Sequence, residues 1–597
     1  MSAQTQHDSE SLDEKADVVQ IFDDIARRSQ RIVKDFMDRQ SVGGGEPDVM
    51  NIGGAFLDLT EQLIQDPSKL VNAQLEFWQN YAQLCHNMLF GMIGQQASPV
   101  VEPKKGDRRF KGKEWTEVAL FDFIKQSYLL TSQFFQKSIH SVDGMDEKNH
   151  QKLEFITRQF VGAMSPTNFV TTNPDVLKRT IESRGENLVR GLDHMLQDLE
   201  RGNGRLDIRM TDLDAFELGK NVAITEGSVV FQNDMMQLIQ YKPTTKTVYQ
   251  KPIMIIPPWI NKYYILDLSP KNSYVQWLVN QGYTVFMISW VNPGAEHKDK
   301  TFDDYLTDGT LAAIDTIRQI TNDQPVMATG YCLGGTLLSA TAAWLKSKGQ
   351  ADKLESLTYL ATLIDFSDPG ELGVFIDEKQ VASIESNAAD DGYMNGRVMA
   401  GSFNMLREND LIWSYFITNY LCGDTPFPFD LLYWNSDATN MPAKMHTWYL
   451  RKMYMENCFK DSEGVELAGV AIDVSTIKTP AYFVSTHDDH IAKWQSTYPG
   501  AKLHQGPVKF VLGGSGHIAG IVNPPVNNKY GFQTCDELPD SPDDWLENAQ
   551  QNEGSWWTDW DIWASEKRGK KVPARIPGSG KFKALEAAPG SYVKRRI

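Results

Sequence analysis

Two kinds of hydrophobic patterning divide the chain. From Val19 to about Gln40 the apolar residues Phe22, Ile25, Ile32, Val33 and Phe36 recur at helical spacing among Arg and Asp, which predicts an amphipathic helix. After a Gly43-Gly44-Gly45 break, helical patterns resume over Phe56–Met92 (interrupted near Asp66-Pro67), Trp115–Val142 and Gln151–Ala163. Asn173-Pro174 reads as an N-cap with proline at the first helical position, opening a helix to about Glu200. The segment Gln95–Arg109, with Pro99, Pro103 and paired charges, reads as a linker, and residues 1–18 as a disordered acidic start. Residues 19–212 are therefore expected to form an α-helical N-terminal domain.

The period changes near residue 213. Apolar strand-like runs now alternate with helices: Val229–Phe231, Met236–Tyr241, Ile253–Ile256, Thr284–Trp290, Val326–Thr329, Ser356–Ala361, Tyr482–Ser485 and Lys509–Leu512. Helical stretches such as Ser273–Gln281 and Phe302–Ile320 lie between them. Continuous apolar strands with helical crossovers predict a mainly parallel sheet covered on both faces. The alternation lapses over residues 365–476, a stretch rich in Met, Trp, Tyr and Phe (Trp413, Tyr415, Phe416, Tyr420, Phe427, Phe429, Trp434, Trp448, Tyr449). An insertion of that size between core strands is expected to be a cap or lid. Residues 213–597 thus read as one catalytic domain carrying a cap.

The bulk numbers narrow the class. A chain of 597 residues exceeds one ordinary domain. A net charge of −18 and a pI near 5.1 argue against nucleic acid and anionic membranes as partners. Cys85, Cys332, Cys422, Cys458 and Cys535 are odd in number, scattered and without C-x-x-C spacing, the usage of a reducing compartment with no disulfide framework or zinc site. The polar, acidic N-terminus and the lack of any run of about 18 apolar residues predict no signal peptide and no transmembrane segment, hence a cytoplasmic protein.

The chemistry centres on Gly330-Tyr331-Cys332-Leu333-Gly334-Gly335, which joins the strand Val326–Thr329 to a helix predicted over Thr336–Lys346. Glycines flanking one reactive side chain at a strand–helix turn form a nucleophile elbow, here with Cys where Ser is usual. The helix N-terminus favours the thiolate. A thiol nucleophile needs a base and an orienting acid. The strand ending in His487-Asp488-Asp489-His490 offers the acid, and the strand ending in Gly513-Gly514-Ser515-Gly516-His517 offers the base. The order nucleophile, acid, His is that of an α/β-hydrolase fold. Cys332, Asp489 and His517 satisfy it, although spacing alone does not separate Asp489 from Asp488. The rival reading of residues 487–490 is a metal site of two imidazoles and two carboxylates. An oxyanion hole needs two backbone N–H donors: Leu333 after the nucleophile, and one from Pro257-Pro258-Trp259-Ile260-Asn261. The two prolines lack an N–H, which leaves Trp259 or Ile260, with Ile260 favoured. A Cys elbow suits exchange between thioesters, because attacking and leaving sulfurs are chemically alike.

These motifs resemble those of the class I polyhydroxyalkanoate synthases. The resemblance runs from about residue 105 and includes Pro257-Pro258-x-Ile260-Asn261-Lys262-Tyr263-Tyr264, Ser289-Trp290-x-Asn292-Pro293-Gly294, Tyr433-Trp434-Asn435-Ser436-Asp437, Asp488-Asp489-His490-Ile491 and Gly516-His517-Ile518-Ala519-Gly520. It implies an acyltransferase that polymerises (R)-3-hydroxyacyl-CoA and releases CoA, with Cys332 as acyl acceptor, His517 as base and Asp489, rather than Asp488, as triad acid. It further implies a homodimer at the surface of cytoplasmic polyester inclusions, alongside granule-associated proteins, with no cofactor and no metal; CoA is only the leaving group. Arg451 and Lys452 are candidate contacts for CoA. Two alternatives remain: a Cys-dependent acyl-CoA thioesterase or ester hydrolase, and a non-catalytic granule-binding protein. The aromatic excess would suit a granule surface as well as a core.

Overall fold

The computed structural model describes residues 67–92, 98–140, 144–388 and 391–597. The helix expected over Val19–Gln40 and the first part of Phe56–Met92 lie outside them. The described residues form two compact units, one of those up to residue 212 with 407–427, the other of 213–406 with 428–597.

The first unit is helical. Helix α1 (Pro67–Met92) packs along α2 (Ala119–His140) through Phe77, Tyr81, Phe123 and Phe134, over a small core of Leu84, Val101, Phe110, Trp115, Leu129 and Leu130. The stretch read as a linker is fastened to α2, where Gln126 Oε1 accepts from the Val100 and Val101 amides. Helix α3 (Glu147–Ala163) starts earlier than its apolar period indicates, because Asp146 caps it by accepting from Asn149 N–H. The Asn173 cap is present, accepting from the Asp175 and Val176 amides. The single helix expected from there to Glu200 is two, α4 (Pro174–Glu182) and α5 (Glu186–Arg201). Arg184 and Gly185 between them both have positive φ, 53° and 89°, which no α-helix accommodates. Against α5 lies part of the insertion. Tyr420 donates its hydroxyl to Asp198 at 2.6 Å, and Asn187 donates to Leu421 O at 2.7 Å. A Cβ on Gly191 would stand 2.5 Å from the Tyr420 carbonyl carbon, so the approach needs glycine.

The second unit is built on an eleven-stranded sheet. In chain order the strands are β1 (Gly227–Gln232), β2 (Met236–Tyr241), β3 (Ile253–Ile256), β4 (Val285–Trp290), β5 (Val326–Tyr331), β6 (Leu354–Leu360), β7 (Ala481–Thr486), β8 (Val508–Gly513), β9 (Phe532–Thr534), β10 (Gln550–Asn552) and β11 (Glu586–Ala587). Their order in space is β10-β9-β8-β7-β6-β5-β3-β4-β2-β1-β11. The six from β8 to β4 run parallel, and all remaining pairs are antiparallel. Alternation along each strand feeds two cores: Met254 and Ile256 point into one, Ile253 and Ile255 into the other. Helix α6 (Tyr274–Gln281) covers one face, while α7 (Ala312–Ile320), α8 (Leu333–Ser347) and α9 (Trp494–Leu503) pack into the other core. All eight expected strands are found. This is the α/β-hydrolase fold, and its parallel strands bring the C-terminal ends of β5, β7 and β8 to one edge, with β7 and β8 adjacent and β6 between β7 and β5.

The C-terminal tryptophans belong to the core rather than to a surface. On α10 (Trp556–Ser565), Trp556, Trp557 and Trp560 are each buried. Their indole N–H groups donate to Gly520 O, Ile521 O and Thr358 Oγ1 at 3.0, 2.9 and 2.9 Å. Burial costs such an N–H nothing when a partner is waiting.

Candidate active site

Strand β5 ends at Tyr331 and α8 begins at Leu333, so a single residue makes the turn. That residue is Cys332, with φ 52° and ψ −121°, backbone that an L-residue adopts only under strain. Backbone hydrogen bonds hold it there: Cys332 N–H donates to Leu360 O at 2.8 Å, and Cys332 O accepts from the Gly335 and Thr336 amides at 2.8 and 3.3 Å. The glycines make the crowding possible. A Cβ on Gly330 would meet Gly335 Cα at 2.5 Å, and one on Gly334 would stand 2.8 Å from Pro257 O and closer still to Ile256 O. The first turn of α8 therefore abuts the end of β3, where the loop carrying Trp259 and Ile260 begins. In that loop Trp259 turns its ring inward against Phe302, Tyr305 and Tyr449.

At the ends of β7 and β8, His517 Nδ1 lies 2.7 Å from Asp489 Oδ2. The other carboxylate oxygen, Oδ1, accepts from the Ile491 and Ala492 amides at 2.8 and 2.9 Å. Asp489 has 0% of its side chain exposed, whereas neighbouring Asp488 has 68% and pairs with His487 at 3.0 Å on the surface. Of the two, only Asp489 meets His517. The tetrad 487–490 thus divides between a buried and a surface role, and its four side chains do not converge.

The Cys332 sulfur lies close enough to His517 to act on its imidazole. Burial works to lower the imidazole's pKa, but the Asp489 carboxylate and the Cys332 sulfur outweigh it and lift it to about 10. An imidazole held in this way, with one nitrogen on a carboxylate and its ring against a thiol, can take and return a proton at the sulfur.

Family models match this chain in two places. One described as poly-beta-hydroxybutyrate polymerase (PhaC) N-terminus covers residues 106–278, and one described as alpha/beta hydrolase fold covers 267–524. The chain is 46% identical over 539 residues to a poly(3-hydroxyalkanoate) polymerase of Methylorubrum extorquens, spanning 90% of this chain and 89% of that one. The chain belongs to the poly(3-hydroxyalkanoate) polymerase family. Two polymerase subunits PhaC, from Rhizobium meliloti and Cupriavidus necator, are 42% and 41% identical over 538 and 537 residues. They are matched over 88% and 89% of their length by 90% and 89% of this chain.

In this polymerase-family site, several residues quoted in the sequence only as parts of motifs have supporting contacts. Tyr331 stacks on His517 with ring centroids 5.5 Å apart and donates its hydroxyl to His517 O at 3.1 Å. Its neighbour Cys332 marks it in sequence, but nothing in the pattern says which way the phenol turns. Trp434 donates to Lys262 O at 2.7 Å, Tyr264 donates to Asp437 at 2.9 Å, and Ile260 O accepts from Thr439 N–H at 3.3 Å. The insertion therefore pins the loop that carries the second oxyanion candidate. Arg451 pairs with Glu378 and Glu385, and Lys452 with Glu456, on the surface.

Proposed function

We propose that this protein is an acyltransferase that polymerises (R)-3-hydroxyacyl-CoA, 3-hydroxybutyryl-CoA first among them, into polyester with release of CoA. The observation that carries the reading is the Cys332–His517–Asp489 arrangement in a chain so similar to poly(3-hydroxyalkanoate) polymerases over nearly its whole length. His517 takes the Cys332 proton, and the sulfur attacks the acyl-CoA carbonyl. The developing oxyanion is held by the Leu333 amide and a second amide from the 259–260 loop, Ile260 by preference. CoA leaves with the proton returned by His517. The 3-hydroxyl of one acyl unit then attacks the thioester of another, its proton passing to His517, and one ester bond replaces one thioester. Asp489 keeps the imidazole oriented throughout. None of these steps calls on a cofactor or metal, since CoA enters as part of the substrate.

Tyr449 and Tyr454 of the insertion, close to Cys332, support a water-poor site, which chain growth needs because water would release the acyl group. The class I type, a homodimer, and residence in the cytoplasm at the polyester surface with granule-associated proteins belong to the same proposal. No helix among the described residues is long and apolar enough to cross a membrane. On α1, Val71, Leu75, Trp78 and Leu89 are half to two-thirds exposed, an apolar stripe suited to a hydrophobic surface. The deciding experiment supplies (R)-3-hydroxybutyryl-CoA to the wild type and to Cys332→Ala, following thiol release and weighing insoluble product. Thiol release matched by polyester and lost in the variant supports the proposal. Release matched by free 3-hydroxybutyrate makes the protein a thioesterase.

A further inference from the structure

Inside the insertion, the helix Ala443–Tyr449 continues without a break as a π-helical segment, Leu450–Met455. The change of winding has a geometric result. Residues five apart on an α-helix point about 140° away from each other, whereas π winding closes i→i+5 and brings them to one side. Tyr449 and Tyr454 are five apart, and both lie close enough to Cys332 for a charge on its sulfur to act on their phenols.

Of these two phenols, only that of Tyr449 has a hydroxyl both buried and without a partner. Tyr449 is buried among Trp259, Phe302 and Phe366, and its hydroxyl oxygen is inaccessible to solvent and has no hydrogen-bond partner. Thr336, one helical turn beyond Cys332, stands beside it but outside hydrogen-bonding geometry, and gives its own proton to Leu363 O at 2.7 Å. Tyr331, the other phenol at the elbow, is spent on His517 O. A buried polar group left unpaired is costly, and a native protein that keeps one at a reactive centre retains it for a bound partner.

We propose that Tyr449 is a specificity-determining residue whose hydroxyl donates to the 3-oxygen of the acyl group held on Cys332. The inference rests on the polymerase reading above and deepens it. The carbonyl oxygen of an acyl-Cys332 faces the backbone amides, and the next polar atom along the acyl chain is the 3-oxygen, two carbons further on. Among the rings of Trp259, Phe302 and Phe366 that oxygen has no water to bind. A phenol donor there recognises a free 3-hydroxyl and a 3-ester oxygen alike, so it serves both the first unit and the growing chain. A plain acyl group has nothing at that carbon and leaves the phenol unpaired, which is how a buried polar group rejects the analogue that lacks its partner.

The test measures acylation of Cys332 by mass spectrometry, with release of CoA, for (R)-3-hydroxybutyryl-CoA and for butyryl-CoA. Wild type, Tyr449→Phe and Tyr331→Phe are compared by their ratio of kcat/KM for the two thioesters. Tyr449→Phe is expected to lower the wild-type preference for the hydroxylated thioester about tenfold, with a melting temperature equal to or above wild type. Tyr331→Phe, which removes a phenol already spent on backbone, is expected to leave the ratio within twofold. A Tyr449→Phe ratio within twofold of wild type overturns the inference, and so does a lowered melting temperature, which makes the hydroxyl structural. The polymerase reading fails separately, if wild type turns (R)-3-hydroxybutyryl-CoA into free acid instead of polyester.

Discussion

Replacing Cys332 by glycine should leave the protein more stable than replacing it by alanine, the reverse of the usual order. Both variants lose the sulfur and its contact with His517, so their difference isolates the backbone. At φ 52° and ψ −121° a side chain bearing Cβ sits in a sparsely populated region, at a cost of about 1–3 kcal/mol. Glycine escapes that cost but gains freedom in the unfolded chain worth about 0.5–1 kcal/mol. The balance is about 1 kcal/mol in favour of glycine. It survives only because the bonds to Leu360 O and from Gly335 N–H keep the turn in place when the residue changes. The assay is urea unfolding followed by tryptophan fluorescence, with midpoints compared at a common slope. An alanine variant as stable as the glycine one, or more so, would refute the claim that the elbow stores strain. The same measurement places Cys332→Ala close to wild type, since it removes one small side chain at a turn.

Two further outcomes follow from geometry. His517 has its pKa raised to about 10 from the ordinary 6.5, so the stability it contributes is fully present below pH 6.5 and is lost as pH rises through 10. The advantage of wild type over His517→Gln in unfolding midpoint should therefore shrink between those pH values, by no more than about 5 kcal/mol; a gap that widens or stays constant would show that the imidazole is not held charged. Gly191→Ala should push Tyr420 off α5, since the added Cβ lies within 2.5 Å of the Tyr420 carbonyl carbon. The signature is faster limited proteolysis within residues 407–427, and an unchanged cleavage rate would count against the packing described.

What was legible in the sequence was whatever rests on composition over several residues. The parallel strands announce themselves because both faces are buried, so Ile253–Ile256 and residues 285–288 read as unbroken apolar runs. The elbow is legible because only glycine tolerates the crowding at 330 and 334. Strands β9, β10 and β11 were invisible, being three, three and two residues long, too short to carry a period. The choice between Asp488 and Asp489 is a matter of side-chain direction at consecutive positions, which spacing does not encode and two backbone amides do. The aromatic excess was open in sequence between surface and core; on α10 even Asp559 and Asp561 lie against Tyr482 and Tyr283, so its polar side chains too have partners. The π winding at 450–455 leaves no mark in the hydrophobic pattern at all.

The placement of residues 407–427 in the helical unit has a consequence for how the chain is made. The groove on α5 around Asn187, Gly191 and Asp198 is complete by residue 212, but the segment that fills it ends at residue 427. At about 5–20 residues per second, the intervening 215 residues (427 − 212) take roughly 10–40 s to synthesise. For that time Asp198 waits without the Tyr420 hydroxyl, and the first unit of the protein to leave the ribosome is the one that cannot finish folding until much of the second has followed it.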